Sequence, residues 1–390
     1  MGPRTELPTI KALEDIGYGN GTFVPATALM PLPWAGNGKH KVAQVFCEAF
    51  WPDGSVMSVC PRTVARKQFE RLEQRGYQLY SGFEAEFMVV DAKTKQPLFD
   101  GVDFGVDQIL AENSEWMFDA EKQLASVGVD ICAIHPEYSP GQFECALAAQ
   151  YGMKTPDNMM IFKQAFKEIL LKYNLQPTFM TRPFANNGGC SGFHLNHSLW
   201  SNDGKCLFYD VSKPDNMSDV MRYWVGGIMK HLTALNALCS PTPNCYRRLH
   251  QPWAPDKHDW GIDNRGVSVR VKSHAERTCL VENRLPSSAS NAYLTVAGTI
   301  AAGLDGIDKK IEPPPKGIHD ASPLLPGFED CLKALEESDV MRQSLGEDFI
   351  QWYVAAKRQN ELSKFPDLTL TGPIPEEEIR KEREEYFKLI

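Results

Sequence analysis

The feature that most constrains this chain is a short run in which glutamates alternate with apolar residues, Gly82-Phe83-Glu84-Ala85-Glu86-Phe87. In a β-strand, side chains two residues apart share a face. The run therefore predicts a strand with Glu84 and Glu86 on one face and an apolar face behind them. Adjacent carboxylates repel each other unless a cation lies between them, and carboxylates suit Mg2+ or Mn2+. A half-exposed strand with a polar face is the other interpretation of this run alone.

Composition indicates a globular protein with a large core. The chain has 390 residues, 43% of them hydrophobic, and a formal net charge of -9 from 41 basic and 50 acidic residues. The basic residues form no cluster, so nucleic acid is not an expected partner. No apolar run approaches the roughly 20 residues of a membrane span, and no signal peptide is recognisable, so no membrane association is expected. The ten cysteines form no CxxC pair, which favours reduced thiols and a cytoplasmic protein.

Segments with helical spacing are mixed irregularly with strand-like segments. Strand-like alternation occurs in residues 41–46, among short strands and loops. The apolar spacing predicts helices over residues 62–76, 158–173, 220–238, 291–304, 328–340, 345–362 and 375–390. Because there is no regular βαβ repetition, we expect an α+β fold with an antiparallel sheet.

Two segments downstream carry side chains that bind metals. After His135, a Pro-Gly bend separates Glu137 from Glu144. In residues 188–198, a glycine-rich approach leads into an alternating strand that contains His194. Taken alone, such a histidine is more often a satisfied core residue than a metal ligand.

Arginines are concentrated nearer the C-terminus. They occur in Tyr246–Leu249, Asn264–Arg270 and Val281–Pro286. A planar guanidinium binds carboxylate or phosphate oxygens in bidentate fashion, so such arginines suit anionic substrates. In the last segment, Glu282 and Arg284 lie two residues apart and therefore share a strand face. Solvated edge arginines and an ordinary surface ion pair are the alternative interpretations.

Taken in order, these segments resemble the glutamine synthetase family of class I type, and most of all its lengsin-like branch. The match to this family also includes stretches that are not catalytic. They are Leu32–Ala35, Ser198–Trp200, Asp203–Lys205, Asn244–Leu249, Asn291–Leu294 and Ala302–Gly306. The resemblance runs from about residue 10 to the C-terminus. It implies a truncated N-terminal β-grasp domain over residues 1–60. It also implies a catalytic domain over residues 61–390, with a curved antiparallel sheet and surrounding helices.

The resemblance implies an ATP-dependent carboxylate–amine ligase. Glutamate would be phosphorylated on its γ-carboxylate, and an amine would then displace phosphate. The implied ligands of two Mg2+ or Mn2+ ions are Glu86, Glu137 and Glu144 for one ion, and Glu84, His194 and Glu282 for the other. The other implied residues are Arg248 and Arg284 for the substrate carboxylate, Arg265 and Arg270 for the phosphates, and Asn196 and Ser198 for the nucleotide. Arg248 and Arg265 are the implied catalytic residues, and the implied assembly is a homo-oligomer, a dodecamer of stacked rings.

Residues that handle ammonium in the family pattern are missing. Ala254 stands where the family has a flap glutamate that takes a proton from ammonium, and alanine cannot accept one. Asp256 or Asp259 would have to substitute. An ammonium-site aspartate of the family should fall near residues 18–21, where no acidic residue is present.

Residues that would contact the nucleotide also depart from the family pattern. Asn196 replaces an ATP-contacting histidine, and Leu280 replaces a phosphate-facing arginine, with Arg277 out of register. The approach to the histidine carries an insertion at residues 189–190, and several opening strands of the β-grasp domain are expected to be missing.

Two hypotheses for the function remain. One is a ligase that uses a nucleophile other than ammonium. The other is a lengsin-like pseudoenzyme, a structural or chaperone-like partner of intermediate filaments.

Overall fold

The computed structural model describes Glu14, Gly17 and residues 19–101, 104–185, 189–316 and 327–390. The expectations for residues 1–13, Tyr18 and Gly188 lie outside the described residues. The expected α+β fold is confirmed, because helices pack around a large, mainly antiparallel sheet. None of the described helices is long and apolar enough to cross a membrane.

The described strands fall into one large sheet and two small ones. They are β1 (Thr22–Pro25), β2 (Met30–Pro31), β3 (Ala43–Gln44), β4 (Cys47–Phe50), β5 (Tyr77–Asp91), β6 (Ile131–Pro136), β7 (Gln142–Leu147), β8 (Gln150–Tyr151), β9 (Leu175–Thr178), β10 (Phe193–Ser201), β11 (Trp260–Ile262), β12 (Val269–Lys272) and β13 (Leu280–Asn283). The large sheet has the order β11-β12-β13-β10-β5-β7-β6, and β8 and β9 also pair with β5. Only β11 and β12 pair in parallel among these described strands. Two small sheets, β1 with β4 and β2 with β3, precede residue 61.

The described helices surround the sheet. They are α1 (Pro61–Glu73), α2 (Asp107–Ala125), α3 (Lys154–Leu170), α4 (Asp219–Lys230), α5 (Leu232–Cys239), α6 (Ala292–Lys309), α7 (Phe328–Glu337), α8 (Asp339–Leu345), α9 (Glu347–Lys357) and α10 (Glu376–Tyr386). A 3-10 helix also spans Pro243–His250.

The structure corrects several predicted boundaries. The single helix predicted over residues 220–238 is two helices, because His231 leaves the helical conformation and its Nε2 contacts Asp305 Oδ2 at 2.8 Å. Similarly, Ser338 ends α7 and caps α8, accepting a hydrogen bond from Met341 N. The alternation at residues 41–46 produces only the two-residue strand β3. Helix α2 was not predicted.

The central strand β5 has the predicted alternation. Phe83, Ala85 and Phe87 are at most 1% exposed, and they face the core. The Phe87 ring lies 5.3 Å from that of Phe166 on α3 and 5.5 Å from that of Phe179. Burial of such aromatic side chains stabilises the contact of helix and sheet. The opposite face of β5 is thereby left for its glutamates.

Helix α3 also carries an unusual lysine at this apolar layer. Lys163 Nζ donates to the carbonyl oxygens of Ser288 at 2.6 Å and Ser290 at 3.1 Å. It lies 4.2 Å from the centroid of the Phe193 ring. Burial, with a smaller contribution from Lys167, lowers the pKa of Lys163 to about 7. The folded protein therefore favours the neutral amine at alkaline pH.

We expect Lys163 to make stability rise with pH. Between about pH 7 and about pH 10.4 the unfolded chain keeps this proton and the folded chain releases it, so the free energy of unfolding increases by up to about 1.4 kcal/mol per pH unit. In Lys163→Met this slope should be absent. Urea unfolding at pH 7.0, 8.0 and 9.0 measures it, with the exposed Lys333→Met as control. Equal slopes in wild type and Lys163→Met would contradict the prediction.

Candidate active site

Strand register brings the predicted carboxylates together on one face of the sheet. Glu86 on β5 lies directly opposite Glu144 on β7. On the other side of β5, Glu84 lies opposite His194 on β10. Like charges directly opposite each other on neighbouring strands are destabilising. The pairing of Glu86 with Glu144 is thus favourable only when positive charge is close by.

The first of two clusters contains Glu84, His194 and Glu282, whose candidate ligand atoms lie within 4.8 Å of one another. His194 Nδ1 is 3.5 Å from both Glu84 Oε2 and Glu282 Oε1. Burial alone would raise the pKa of Glu84, but hydrogen bonds and charges, chiefly from His194, lower it to about 2. The structure therefore assembles the three residues that the sequence analysis assigned to one ion. We call them the histidine cluster.

The second cluster contains Glu137, Glu144 and a residue that was not predicted, His135, also within 4.8 Å. His135 Nε2 lies 3.4 Å from Glu144 Oε1, and Nδ1 lies 3.7 Å from Glu137 Oε1. His135 is directly opposite Glu144 in the pairing of β6 with β7. Its position in a strand, two residues before Glu137, is the sequence signal that could have identified it. We call these residues the edge cluster.

Glu86 lies between the two clusters. Its Oε2 accepts hydrogen bonds from Gln142 Nε2 at 3.0 Å and from Gly192 N at 2.9 Å. A Cβ atom at Gly192 would lie 2.9 Å from Glu86 Oε1, 2.9 Å from Arg248 Nη2 and 3.0 Å from His194 Nε2. A side chain at residue 192 would therefore displace at least one of these three groups, which converge on the space that a Cβ would fill.

The two clusters differ in charge balance. In the edge cluster, burial and repulsion from Glu86 and Glu144 raise the pKa of Glu137 to about 7. Burial likewise raises the pKa of Glu86. The raised pKa values of Glu137 and Glu86 indicate that too little positive charge lies nearby to stabilise the charged forms of these carboxylates. Their oxygens, with an imidazole nitrogen, form a donor set that suits Mg2+ or Mn2+, so the residues present fit the implied cation.

Two arginines neutralise the histidine cluster. Arg270 Nη1 lies 3.1 Å from Glu282 Oε2, and Arg284 Nη1 pairs with Glu282 Oε1. Glu282 is only 1% exposed. The Nε atoms of Arg270 and Arg284 are buried and have no hydrogen-bond partner within the described part of the chain. Unsatisfied buried donors are costly, so these two positions favour an additional acceptor beside the cluster.

The guanidinium of Arg248 is fixed beside the same cluster. Its Nη1 donates to the carbonyl oxygens of Arg284 at 3.1 Å and Leu285 at 3.2 Å. Its Nη2 is 3.1 Å from His194 Nε2. By contrast, Arg265 is exposed in the loop between β11 and β12, and the structure does not bring it into either cluster.

The segment around Ala254 touches the site through its backbone. Trp253 O accepts a hydrogen bond from Arg284 Nη2 at 3.1 Å. The side chain of Trp253 is 72% exposed, and its φ of 65° is rare for a residue other than glycine. Next to it, Ala254 offers no proton acceptor. Of the two suggested substitutes, Asp259 already accepts from Ser268 N at 2.9 Å, and Asp256 is exposed.

An aromatic surface continues the polar face of the sheet. The Tyr80 ring lies 4.8 Å from that of Tyr151 and 6.4 Å from that of Trp200. Tyr80 shares the face of Glu84, because the two residues are an even number apart on β5. Trp200 Nε1 donates to Ser198 Oγ at 2.9 Å. The alternation of β5 was the signal for this surface, which the sequence analysis did not identify.

The predicted nucleotide residue Asn196 contacts the histidine cluster directly. Its Nδ2 donates to Glu84 Oε1 at 2.9 Å, and its Oδ1 is buried without a partner among the described residues.

At the edge cluster, two exposed aromatic side chains lie beside the acids. The Phe104 ring lies 5.8 Å from that of Tyr138 and 4.8 Å from that of His135.

The fold and the site define a class: an α+β protein with two candidate cation clusters and buried arginines for an anionic ligand. Comparison with known proteins gives the family. The pattern of the glutamine synthetase catalytic domain matches residues 58–370. A glutamine synthetase of Thermotoga maritima is 34% identical over 347 residues, which cover 84% of this chain and 78% of that protein. The chain belongs to the glutamine synthetase family.

Other relatives differ in what their names describe. A lengsin of Canis lupus familiaris is 30% identical over 346 residues, which cover 84% of this chain and 58% of that protein. A glutamate–isopropylamine ligase of a Pseudomonas species is 28% identical over 370 residues, which cover 88% of this chain and 78% of that protein. The structure of a glutamine synthase homolog shares the fold, with a TM-score of 0.82, 23% identity, and coverage of 94% of this chain and 85% of that chain. The predicted resemblance, including that to lengsins, is confirmed.

Proposed function

We propose that this protein is an ATP-dependent ligase that joins the γ-carboxylate of glutamate to an amine other than ammonium. The observation that carries the proposal is the register that sets Glu86 opposite Glu144 and Glu84 opposite His194. It supplies two neighbouring acidic clusters on one rigid surface. Phosphoryl transfer needs such a surface, because positioning and charge neutralisation account for most of its rate.

In this proposal, Glu84, His194 and Glu282 bind one Mg2+ or Mn2+ ion. Glu86, Glu137 and Glu144 bind the other, and His135 is an added candidate ligand supported by its 3.4 Å distance to Glu144. Bound divalent cations would neutralise phosphate oxygens and polarise the γ-carboxylate. The residues of this chain would hold the attacking γ-carboxylate oxygen in line with the terminal phosphorus of ATP and the leaving ADP.

The arginines and aromatics would hold the two substrates. Arg248 and Arg284 bind the glutamate carboxylate, and Arg270 faces the phosphates. Arg265, which lies outside both clusters, would reach the phosphates only after its exposed loop moved toward the site. Asn196 and Ser198 contact the nucleotide, and the rings of Tyr80, Tyr151 and Trp200 suit the stacking of its base. A γ-carboxylate oxygen attacks the terminal phosphorus, ADP leaves, and the amine nitrogen then displaces phosphate and loses a proton.

The second step separates this chain from ammonium ligation. Ammonium is charged at pH 7 and must lose a proton before it attacks, yet Ala254 provides no acceptor. An amine that is already neutral at pH 7 avoids this requirement. The exposed rings of Phe104 and Tyr138 beside the edge cluster support an amine with an apolar substituent. The name of one relative, a gamma-glutamylanilide synthase of an Acinetobacter species, is consistent with this substrate class, because aniline is neutral at pH 7.

Comparing two nucleophiles tests the proposal. With Mg2+, ATP and glutamate, we expect hydroxylamine, which is neutral at pH 7, to support ADP release at least about tenfold faster than ammonium at equal concentration, since it requires no deprotonation before attack. Glu86→Ala should abolish both activities. Ala254→Glu should raise the ammonium rate and leave the hydroxylamine rate nearly unchanged. Equal use of both nucleophiles by the wild type would identify ordinary glutamine synthesis and refute the missing-acceptor argument.

A second candidate function is that of a lengsin-like pseudoenzyme, a structural or chaperone-like partner of intermediate filaments. It is favoured by Ala254, Leu280 and Asn196, which replace residues of the family pattern. Absence of ADP release with either nucleophile would select it. Co-sedimentation with assembled intermediate filaments would then be its positive test.

We also propose the domain division and assembly that the resemblance implies. The small sheets before residue 61 support a separate β-grasp domain within residues 1–60, with a catalytic domain over 61–390. Exposed apolar side chains in this segment, such as Phe23 at 77% on β1 and Leu29 at 72% just before β2, are consistent with a homo-oligomer, proposed here as a dodecamer. Sedimentation velocity measures the number of subunits.

A further inference from the structure

A buried ion network lies behind the substrate arginine. Arg247 is fully buried in the 3-10 helix Pro243–His250, and its Nη1 pairs with Glu382 Oε2 on α10. The Glu382 side chain is also fully buried. Arg247 Nη2 lies 2.9 Å from Glu378 Oε2, and its Nε donates to Thr369 O at 2.9 Å. The C-terminal helix therefore supplies two carboxylates to one residue of the 3-10 helix.

The same carboxylate also binds the start of that helix. Glu382 Oε2 accepts from Asn244 Nδ2 at 2.7 Å. The Asn244 amide in turn holds the backbone of Arg182, with Nδ2 donating to its carbonyl at 3.0 Å and Oδ1 accepting from its N–H at 2.8 Å. One glutamate thus fixes the 3-10 helix at two positions, Asn244 and Arg247.

Stability alone does not explain this network. An ion pair removed from water loses hydration that its mutual attraction only partly restores, and apolar pairs of similar size are often as stable. Burial raises the pKa of Glu382 even though Arg247 and Asn244 favour its charged form. A charged pair does, however, impose a defined geometry that apolar side chains do not impose. The remaining role for the network is to fix the position of the 3-10 helix.

The network also sets the position of the neighbouring residue, Arg248. Arg247 and Arg248 are consecutive in a helix with about three residues per turn, so their side chains leave in different directions. Arg247 reaches α10, and Arg248 reaches the histidine cluster, where it contacts His194 and the carbonyl of Arg284. Any displacement of the backbone at Arg247 moves Arg248 as well.

We propose that Glu382 is a positioning residue, which sets the Arg248 guanidinium for binding the glutamate carboxylate through its contacts with Arg247 and Asn244. The inference rests on the proposed function, in which Arg248 binds glutamate. It assigns the C-terminal helix a role in substrate affinity, although α10 itself contributes no residue to either cluster.

Glutamate binding, measured without turnover, tests this role. Calorimetry with Mg2+ and a non-hydrolysable ATP analogue gives the Kd of glutamate for the wild type and for Glu382→Gln. We expect Glu382→Gln to raise that Kd about tenfold, because small misplacements of a binding group are costly, and to change the Kd of the analogue less than twofold. Glu378→Gln should raise it by a smaller factor. Glu384→Gln, which removes an exposed partner of Arg380 on the same helix, is the matched control.

A double variant separates positioning from folding. Arg247→Met combined with Glu382→Leu replaces the buried charges by apolar side chains and should keep Tm near that of the wild type. Glutamate affinity should nevertheless stay as weak as in Glu382→Gln. Wild-type affinity in either variant would overturn the inference. If the wild type itself binds no glutamate, the proposed function is refuted and the inference with it; if the wild type binds and all variants bind equally, only the inference fails.

Discussion

Glu282→Gln is expected to lower glutamate-dependent ADP release by about 1,000-fold, because it removes a charged ligand from the proposed phosphoryl-transfer site. Glu282 is nearly inaccessible and contacts His194, Arg270 and Arg284. Glutamine keeps the shape of the side chain but cannot balance these groups. The change should therefore remove one cation site and also push the two arginines apart.

Metal stoichiometry makes this prediction specific to cation binding. Calorimetric titration with Mn2+ should fall from two bound ions in the wild type to one in Glu282→Gln. Glu276→Gln provides the control, since Glu276 is an exposed carboxylate in the turn before the same strand. Retention of two ions together with wild-type turnover would show that Glu282 is only a structural counter-charge for the arginines.

Arg248→Lys is expected to raise the KM for glutamate by about 100-fold, with a smaller effect on kcat. The guanidinium of Arg248 bridges the carbonyls of residues 284 and 285 and the His194 ring at the same time. A lysine ammonium is a compact donor on a flexible stem, so it cannot keep this geometry. Initial rates at varied glutamate and saturating ATP measure the effect.

The exposed Arg277→Lys is the matched control for charge and size. It should leave both Michaelis constants unchanged. If Arg248→Lys instead raised the KM for ATP and not that for glutamate, Arg248 would belong to the nucleotide site, and the assignment of the substrate carboxylate would have to move to Arg284.

Local pattern was sufficient to predict much of the fold. The alternation around Glu84 and Glu86 gave the central strand and its apolar face, because strand periodicity is a local property. The break at His231 was not predictable in this way, since it depends on a contact with Asp305 far along the chain. Helix α2 was missed even though the buried residues Ile109, Trp116 and Leu124 mark one helical face.

The candidate site depends on information that spacing does not contain. Nothing local indicates that Glu86 faces Glu144 or that Glu84 faces His194, because strand register is set by the packing of the whole sheet. Family resemblance supplied those groupings, and the structure places both pairs in register. It did not supply His135, which the pairing of β6 with β7 sets directly opposite Glu144.

The register of the large sheet also bears on how the chain reaches its native state. The acids and the two imidazoles come from five strands, β5, β6, β7, β10 and β13, with Glu137 directly after β6, and a slip of one residue in any pairing turns a donor to the opposite face. Each divalent cation would therefore bind tightly only to chains in which the strands that supply its ligands are correctly aligned. At a concentration one hundred times its Kd, such a ligand adds about 2.7 kcal/mol to the native state. The supply of free cation during folding would thus favour correct strand alignment, apart from any reaction that the protein performs.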